Sequence, residues 1–417
     1  MDAYHLAELI RPVAAGRSRT ILIAWDIGSG LGHLTSLMPL AALLRESGYQ
    51  VVFAAREREL SAAARAEIIG RVPSLHVEAV GEPVSGPDRE NPSRTIIDVL
   101  HFNGFCGQEA LVQRVNDWIQ VVDRVRPGLV IADFAPCLVL ACKGRIPVVV
   151  VGNGFTVPPA GSPLPAMAPW LGVPGDAAQQ DEQSMLAMSR RVAARLGLWQ
   201  PDAVSEMLRG HATFVFTHPA FDPYRAHRGG EQTFMPPNIE LPDFLVDLEA
   251  RPQGKVFAYL PPRHPLLPQV IQGLERISAD AEIFVPGARG AVSGKIRLTG
   301  QPQRMASVLA EARVIIHHAG LAMAHGGLMS GTPQLTLPLA LEHLITARGL
   351  QPYGMAACWP AESPMPSGWM EEALGSLLTA PETTTASRAA IRAFSTCGRA
   401  LNGGTEPLVK ICTEFMQ

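Results

Sequence analysis

The chain has 417 residues, which is too long for one ordinary hydrophobic core and suits two domains of about 200 residues each. Hydrophobic residues make up 47% of the sequence and charged residues 18%, so the composition excludes a disordered chain. The 35 Lys and Arg residues against 38 Asp and Glu residues give a net charge of -3, without any basic run. This balance argues against a nucleic-acid partner held by bulk electrostatics.

The six cysteines are scattered along the chain and form no Cys-x-x-Cys pair. They therefore indicate buried thiols in a reducing compartment rather than a disulfide framework or a zinc cluster. Charged residues interrupt the first turns of the chain, and apolar runs such as residues 148–151 are too short to span a bilayer. We therefore expect a cytoplasmic protein without a signal peptide or a transmembrane segment.

The first half of the chain alternates buried strands with helices, beginning with a strand at residues 20–25. A glycine-rich turn and a helix follow, with Thr35 or Ser36 as the expected cap and Pro39 in the first turn. A second strand at residues 49–54 completes a βαβ unit, whose strands are parallel. The further predicted elements are helices at 109–124, 136–144 and 182–197 and strands at 129–132, 147–151 and 213–217.

Proline-rich stretches divide the chain. Residues 154–175 are predicted to form a long loop that acts as a lid, and residues 236–254 to form an interdomain linker. Beyond the linker, strands are predicted at 256–260, 281–285, 296–298, 314–316 and 334–337, and helices at 267–277, 305–311, 321–330 and within 368–417. The sequence therefore predicts an α/β protein with two Rossmann-like, doubly wound domains, 1–235 and 255–417, facing each other across a cleft.

The first candidate site is the glycine-rich turn at residues 28–33. A dinucleotide-binding fingerprint needs a small residue in its sixth place, where this chain has His33, so NAD binding is not expected. An imidazole at this place is able to take a proton from a hydroxyl near neutral pH when a carboxylate holds its other nitrogen. Asp133 directly follows a predicted strand of the same sheet and is the expected partner. The alternative is that His33 and Asp133 only cap helices.

The second candidate site follows a predicted strand and begins at His318. The small residues Ala319 and Gly320 come next and lead into a helix, whose first N–H groups suit a diphosphate. Glu342 and His343 follow another strand and are expected at the same edge of the sheet. Their side chains offer hydrogen bonds to sugar hydroxyls.

Metal binding is the alternative for the histidines of this region, which are His317, His318, His325 and His343. No carboxylate or cysteine spacing typical of a zinc site accompanies them. We therefore expect no metal ion and a structural role for His317, while the role of His325 stays open.

Together the two sites resemble those of GT-B glycosyltransferases, most closely the UDP-glycosyltransferase family with its bacterial natural-product and MurG-like relatives. The motifs that carry the resemblance extend over nearly the whole chain and are Gly32-His33, residues 130–134 and residues 302–343. The resemblance implies an inverting glycosyltransferase that needs no metal ion. In it, His33 is the general base that activates the acceptor and Asp133 is its partner.

On the donor side the resemblance implies a nucleoside-diphosphate sugar, carrying UDP or TDP, as a substrate, and no further cofactor. The implied donor-binding residues are His318, Ala319 and Gly320 at the diphosphate, Gln303 beside the nucleoside, and Glu342 and His343 at the sugar hydroxyls. Glu342 keeps the acid of the family's Asp-Gln pair, whereas His343 replaces its glutamine.

Four positions depart from the family's pattern at the nucleotide. Ala322 and Met323 replace a small polar pair at the phosphate, Gly326 replaces the glutamate that binds ribose, and Gly300 replaces the aromatic residue that stacks on the base. Each lost polar contact weakens donor binding by about 1–3 kcal/mol. Arg263, in the turn after the first strand of the second domain, is the expected replacement for the lost contacts.

The expected acceptor is a small, apolar or aromatic molecule bound by loops of the first domain. The candidate acceptor-binding residues are Phe102, Phe105, Phe155, Met167 and Trp170, and packing in the core is the alternative for several of them. Two other functions stay open. One is a GT-B-fold enzyme with an unusual donor or no nucleotide sugar that keeps the base, and the other is a non-catalytic accessory protein.

Overall fold

The computed structural model describes residues 18–28, 32–81, 94–172, 175–229, 234–235, 255–288, 290–292, 294–301, 303–354, 356–360, 363–379 and 406–416. The chain divides into two compact units. The first unit consists of Met1–Thr217, Pro223–Asn238 and Gly404–Gln417, and the second of His218–Asp222 and Ile239–Gly403. Within these described residues, each unit is built on one seven-stranded sheet.

The sheet of the first unit is parallel throughout. Its strands are β1 (Thr20–Trp25), β2 (Gln50–Arg56), β3 (His76–Val80), β4 (Leu129–Asp133), β5 (Val148–Gly152), β6 (Ala212–Phe216) and β7 (Phe234–Met235). Their order across the sheet is β3-β2-β1-β4-β5-β6-β7, so β1 and β4 are neighbours at its centre. The carboxyl ends of β1 and β4 therefore lie side by side.

Helices cover both faces of this sheet. They are α1 (Gly32–Glu46), α2 (Ala62–Arg71), α3 (Ile96–Phe102), α4 (Gln108–Val125), α5 (Pro136–Cys142) and α6 (Asp176–Arg195). Leu22 and Ala24 of β1 are buried in a cluster with α3 to α6, whereas Ile21, Ile23 and Trp25 are buried with α1 and α2. Because both faces of β1 are covered, the strand is an uninterrupted hydrophobic run in the sequence.

The helix α12 (Glu406–Met416) belongs to the first unit. Its Leu408, Cys412 and Phe415 form one face and are buried in the hydrophobic cluster that contains α1. The structure therefore differs from the predicted 255–417 domain at this helix, because the apolar face of α12 packs in the first unit. The predicted linker at 236–254 lies outside the described residues.

The second unit contains strands β8 (Lys255–Tyr259), β9 (Ala281–Phe284), β10 (Gly290–Ala291), β11 (Ile296–Thr299), β12 (Ala312–His317), β13 (Gln334–Thr336) and β14 (Ala356–Cys358). Their order is β10-β11-β9-β8-β12-β13-β14, and every neighbouring pair is parallel except β10 with β11. The helices are α7 (Leu267–Arg276), α8 (Met305–Glu311), α9 (Leu321–Ser330), α10 (Leu341–Leu350) and α11 (Trp369–Thr379).

The predicted fold class is confirmed, since each unit is a doubly wound α/β sheet of mainly parallel strands. The predicted start of the first helix is wrong. The helix already includes Gly32, so that Pro39 lies inside it and the Ser36 hydroxyl donates to the Gly32 carbonyl instead of capping. Within the described residues, no helix is both long enough and apolar enough to cross a membrane.

Candidate active site

His33 and Asp133 form a hydrogen-bonded pair at the centre of the first sheet. The register of the sheet pairs Trp25, the last residue of β1, with Asp133, the last residue of β4. His33 lies in the first turn of α1, and its Nδ1 is 2.7 Å from Oδ2 of Asp133. A carboxylate only accepts hydrogen bonds, so Nδ1–H donates and Nε2 is left as the basic nitrogen. The side chains are 18% and 6% exposed, which leaves the imidazole reachable and its partner almost covered.

Two residues that precede α1, Trp25 and Gly28, lie against the His33 ring. The indole of Trp25 stacks on the imidazole with 4.7 Å between ring centroids and 20° between the planes. Gly28 has φ +119°, and a β-carbon there would lie 2.4 Å from Nε2 of His33. Sequence reasoning missed Trp25, although its place at the end of the strand before the glycine-rich turn was a signal.

The turn itself is fixed to the end of β4. The Ile27 amide donates to the Phe134 carbonyl over 3.1 Å, and the Trp25 indole N–H donates to the Ile27 carbonyl over 2.9 Å. Phe134 has φ 43°, and Ala319, which follows His318 in the second unit, has φ 64°. A positive φ is uncommon for residues other than glycine, and such strain concentrates at functional sites. In both candidate sites a strained residue therefore directly follows a polar site residue, Asp133 in the first site and His318 in the second.

The second candidate site is a group of aromatic rings around His318. The His318 ring contacts His343 with 4.7 Å between centroids and Tyr259 with 5.2 Å, both nearly perpendicular. A β-carbon at Gly320 would lie 2.9 Å from Nε2 of His318, so this glycine allows the ring to lie against the backbone before α9. Nδ1 of His318 and Nδ1 of His343 are buried without a hydrogen-bond partner within the described residues. Two neighbouring rings thus each have a buried polar atom with hydrogen-bonding capacity for a ligand.

Both imidazoles are neutral at neutral pH. Burial, with a smaller effect of the nearby His264, lowers the pKa of His318 to about 4. Burial likewise lowers the pKa of His343 to about 3, with smaller effects of His318 and His264. In the absence of an anion these rings therefore offer hydrogen bonds and no positive charge.

The remaining histidines of this region, His317 and His325, make hydrogen bonds within the second unit. Nε2 of His317 lies 2.9 Å from Oε1 of Gln334, and its Nδ1 accepts from the Ala319 amide. Nε2 of His325 accepts from the His218 amide over 2.9 Å. Among the described residues, no group of three or more His, Cys, Asp or Glu side chains is arranged to hold a metal ion.

The other predicted donor-binding residues lie in different surroundings. Glu342 is the second residue of α10 and is half-buried beside His343 in the sequence. Arg263 is exposed in the turn after β8, with φ 64°. Gln303 is exposed, and its amide donates to the carboxylate of Glu282. Among the predicted donor-binding side chains in the described part of the chain, His343 is thus the one whose ring contacts the His318 ring.

The departures from the family's pattern have packing reasons. A β-carbon at Gly300 would lie 2.3 Å from the Ala288 carbonyl oxygen, so two backbones approach too closely for any side chain there. A β-carbon at Gly326 would lie 3.0 Å from Cδ1 of Leu309. Met323 is buried in a hydrophobic cluster that also contains Leu309. Backbone packing at Gly300 and apolar packing at Met323 and Gly326 therefore occupy three of the four positions at which nucleotide contacts were expected.

The predicted acceptor-binding residues separate by exposure. Phe105 and Met167 have no exposed surface, and Phe105 lies under the guanidinium of Arg114, 5.5 Å from its ring centroid. These two side chains pack the interior, as the alternative held. Phe102 and Trp170 are 57% and 38% exposed, and Phe155 is half-buried. Only these three aromatic side chains of the predicted set present surface to a ligand.

Comparisons with known proteins find solved structures and no sequence family. No family model and no curated protein sequence matches the chain. The glycosyltransferase of kitacinnamycin aligns with a TM-score of 0.68 at 17% identity, over 96% of this chain and 100% of that one. The calicheamicin glycosyltransferase CalG4 aligns with a TM-score of 0.67 at 17% identity, over 95% and 98% of the two chains. The glycosyltransferase VinC, in complex with DTDP, aligns with a TM-score of 0.63 at 17% identity, over 95% and 99%.

These likenesses establish the class of fold. The chain has the GT-B fold, with two doubly wound α/β units in one polypeptide. The alignments include nearly the full length of this chain and of each solved structure. The likeness in fold therefore includes both units and not only the motifs.

Proposed function

We propose that the protein is an inverting, metal-independent glycosyltransferase. It transfers a sugar from a nucleoside-diphosphate sugar, carrying UDP or TDP, to a small apolar or aromatic acceptor. The observation that carries the proposal is the 2.7 Å contact between Nδ1 of His33 and Asp133, which leaves Nε2 as a base at the carboxyl end of β1. The glycosyltransferase of kitacinnamycin and the calicheamicin glycosyltransferase have a similar fold, and this likeness supports the same activity.

In this mechanism Nε2 of His33 removes the proton of the acceptor hydroxyl. The acceptor oxygen forms a bond to the anomeric carbon while the bond from that carbon to the diphosphate oxygen breaks, which inverts the configuration. The electron pair of the broken bond leaves with the nucleoside diphosphate. Asp133 stabilises the imidazolium, which then releases its proton to water.

The second unit holds the departing diphosphate. Nδ1 of His318 and Nδ1 of His343 are buried without a hydrogen-bond partner among the described residues, which supports such a ligand here. The N-terminal amides of α9 stabilise the negative charge that develops, so that no metal ion is required. Glu342, at the start of α10, accepts hydrogen bonds from the sugar hydroxyls. The structure of VinC in complex with DTDP supports thymidine diphosphate as the carrier.

The acceptor binds to exposed aromatic surface of the first unit. Phe102 at the end of α3 and Trp170 in the proline-rich loop are the exposed members of the predicted set. Large aromatic side chains contribute most to the binding of apolar rings. The acceptor is therefore an apolar or aromatic molecule whose hydroxyl, or another nucleophile, reaches His33.

A second candidate function is supported by the packing around the nucleotide positions. Because Gly300 lies against the Ala288 carbonyl and Gly326 against Leu309, the base and the ribose lose their usual partners. The second candidate is therefore an enzyme with the same base whose donor is a phosphorylated compound without a nucleoside. A non-catalytic accessory protein is the third outcome of the test below.

Calorimetric titration with UDP, TDP, GDP and inorganic pyrophosphate, together with mass-spectrometric assays of sugar transfer, tests these functions. We expect UDP or TDP to bind, His318→Ala to weaken that binding, and His33→Ala to abolish transfer while donor binding persists. Pyrophosphate binding without nucleotide binding supports the second candidate. Full turnover of His33→Ala would contradict the proposed mechanism, and the absence of all binding and transfer would leave an accessory protein.

A further inference from the structure

A buried cluster of charged side chains lies at the carboxyl edge of the first sheet. Asp26 follows β1, and Arg56 is the last residue of β2. Nε of Arg56 donates to Oδ1 of Asp26 over 2.6 Å, and Nη2 of Arg114 lies 3.4 Å from the same oxygen. Nη1 of Arg56 also donates to Asp117 on α4 over 3.0 Å and to the Gly81 carbonyl over 2.6 Å. The side chains of Asp26 and Arg56 have no exposed surface.

Such a cluster is a poor source of stability. Removing charges from water is costly, and well-packed apolar residues of the same volume are often as stabilising or more so. Nη2 of Arg56 is buried without a hydrogen-bond partner within the described residues, which adds to this cost. Burial alone would raise the pKa of Asp26, but attraction to Arg56 and Arg114 outweighs it, so the pKa lies below its ordinary value and the carboxylate is charged.

The cluster is connected to the catalytic base through the backbone of one turn. Asp26 stands between Trp25, whose indole stacks on His33, and Gly28, whose α-carbon lies against Nε2 of His33. Trp25 packs with α1 and α2 on one face of the sheet, whereas Asp26 reaches Arg114 of α4 on the other. The ion pairs therefore hold the turn from the face opposite the imidazole.

We propose that the cluster of Asp26, Arg56 and Arg114 positions His33. By fixing the turn from residue 25 to residue 28, it keeps the Trp25 ring and the Gly28 α-carbon against the imidazole. The imidazole then has one orientation, in which Nδ1–H donates to Asp133 and Nε2 is the basic nitrogen. Asp26, Arg56 and Arg114 are positioning residues, since they act on the reaction only through this geometry. The effect of this orientation on sugar transfer rests on the proposed function. The orientation of the His33 ring can be measured independently of that function.

Nitrogen-15 NMR of the histidine side chains in the full chain tests this inference without a substrate. The readouts are the fraction of His33 that carries its proton on Nδ1 and the rate at which that proton exchanges with water. For Asp26→Asn we expect a mixture of tautomers and exchange that is faster by about tenfold, the factor that corresponds to one lost hydrogen bond. Arg114→Gln removes the more distant partner and keeps the Arg56 pair, so it provides a milder variant if Asp26→Asn does not fold.

The matched control is Asp117→Asn. Asp117 binds the same Arg56 guanidinium but lies on α4, and its side chain is 14% exposed. We expect it to leave the tautomer and the exchange rate of His33 as in the wild type. The inference is overturned if Asp26→Asn and Arg114→Gln lower the melting temperature but leave both readouts unchanged, or if Asp117→Asn changes them equally. Absence of transfer by the wild type contradicts the proposed function and does not affect these readouts.

Discussion

The α-carbon of Gly28 lies against Nε2 of His33, so that a β-carbon on residue 28 would be 2.4 Å from that nitrogen. In glycine-rich turns that bind dinucleotides, the missing side chain makes room for a phosphate. Here the missing side chain makes room for the His33 imidazole. The first glycine of the turn is therefore part of the arrangement that leaves Nε2 in place beside the Asp133 pair.

The first prediction concerns this glycine. Gly28→Ala places a methyl group onto Nε2 and also strains a backbone with φ +119°, so the imidazole has to rotate away from Asp133. We expect kcat for sugar transfer to fall about 10²–10⁴-fold, the usual contribution of a general base. Gly32→Ala is the control, because a β-carbon there has nothing within 4 Å. Equal effects of the two substitutions in steady-state kinetics would show that the contact with His33 is irrelevant.

The second prediction concerns the partner carboxylate. Asp133→Asn preserves the shape of the side chain but removes the charge that fixes Nδ1–H and stabilises the imidazolium. We expect kcat to fall about 10²–10⁴-fold while the Kd of the nucleoside diphosphate is unchanged. The control is Asp123→Asn, an exposed carboxylate on α4. An unchanged kcat for Asp133→Asn would reduce Asp133 to a structural role.

The third prediction concerns acid stability of the second unit. Burial lowers the pKa of His317, His325 and His343 to about 3 and that of His318 to about 4. Between these values and the ordinary 6.5, the unfolded chain binds protons that the folded chain does not. The free energy of unfolding is therefore fully retained above pH 6.5 and falls on acidification, by about 1.4 kcal/mol per pH unit for each histidine.

Denaturant titrations between pH 4 and pH 7.5 measure this slope. His343→Gln substitutes a side chain that does not titrate. We expect it to reduce the slope by the contribution of one histidine, about 1.4 kcal/mol per pH unit. His76→Gln is the control, because His76 is exposed at the start of β3 in the first unit. If stability is flat across this range, or if the His343 variant keeps the full slope, the buried histidines do not carry the acid sensitivity.

The fourth prediction concerns the nucleotide positions. Gly300→Trp restores the aromatic residue of the family's pattern, but its β-carbon meets the Ala288 carbonyl at 2.3 Å. We expect the second unit to lose about 1–3 kcal/mol of stability, as overpacked sites do, and UDP to bind no more tightly. Gly294→Trp is the control, since a β-carbon at Gly294 has open space around it. A stable Gly300→Trp variant with stronger UDP binding in calorimetry would contradict this account of the departure.

The sequence alone was enough for the central strands and for the pair at the first site. β1 and β4 are buried on both faces, so their hydrophobic runs are unambiguous, and the residues that end them are fixed by the same pattern. The sequence pattern therefore predicts that His33 and Asp133 lie at one edge of one sheet, as the structure has them. Hydrophobic periodicity is a local signal. It is sufficient to predict the position of a site residue that directly follows a buried strand.

Features that depend on contacts distant in the sequence were not predicted. The place of Trp25 at the end of β1 is a signal but not a sufficient one, because an indole at the end of a buried strand is equally suited to the core. The reason for Gly300 is a backbone approach by Ala288, which only the tertiary structure reveals. Likewise, Phe105 and Trp170 are both aromatic residues in predicted loops, and only burial separates them.

The packing of α12 has a consequence for the order of folding. Leu408, Cys412 and Phe415 complete a hydrophobic cluster whose other members lie mainly in the first 150 residues. During synthesis, a hydrophobic surface of the first unit therefore stays exposed until the ribosome has made residues 406–416. We expect a chain that stops before this helix to be captured by chaperones or to aggregate, even though both seven-stranded sheets are already encoded.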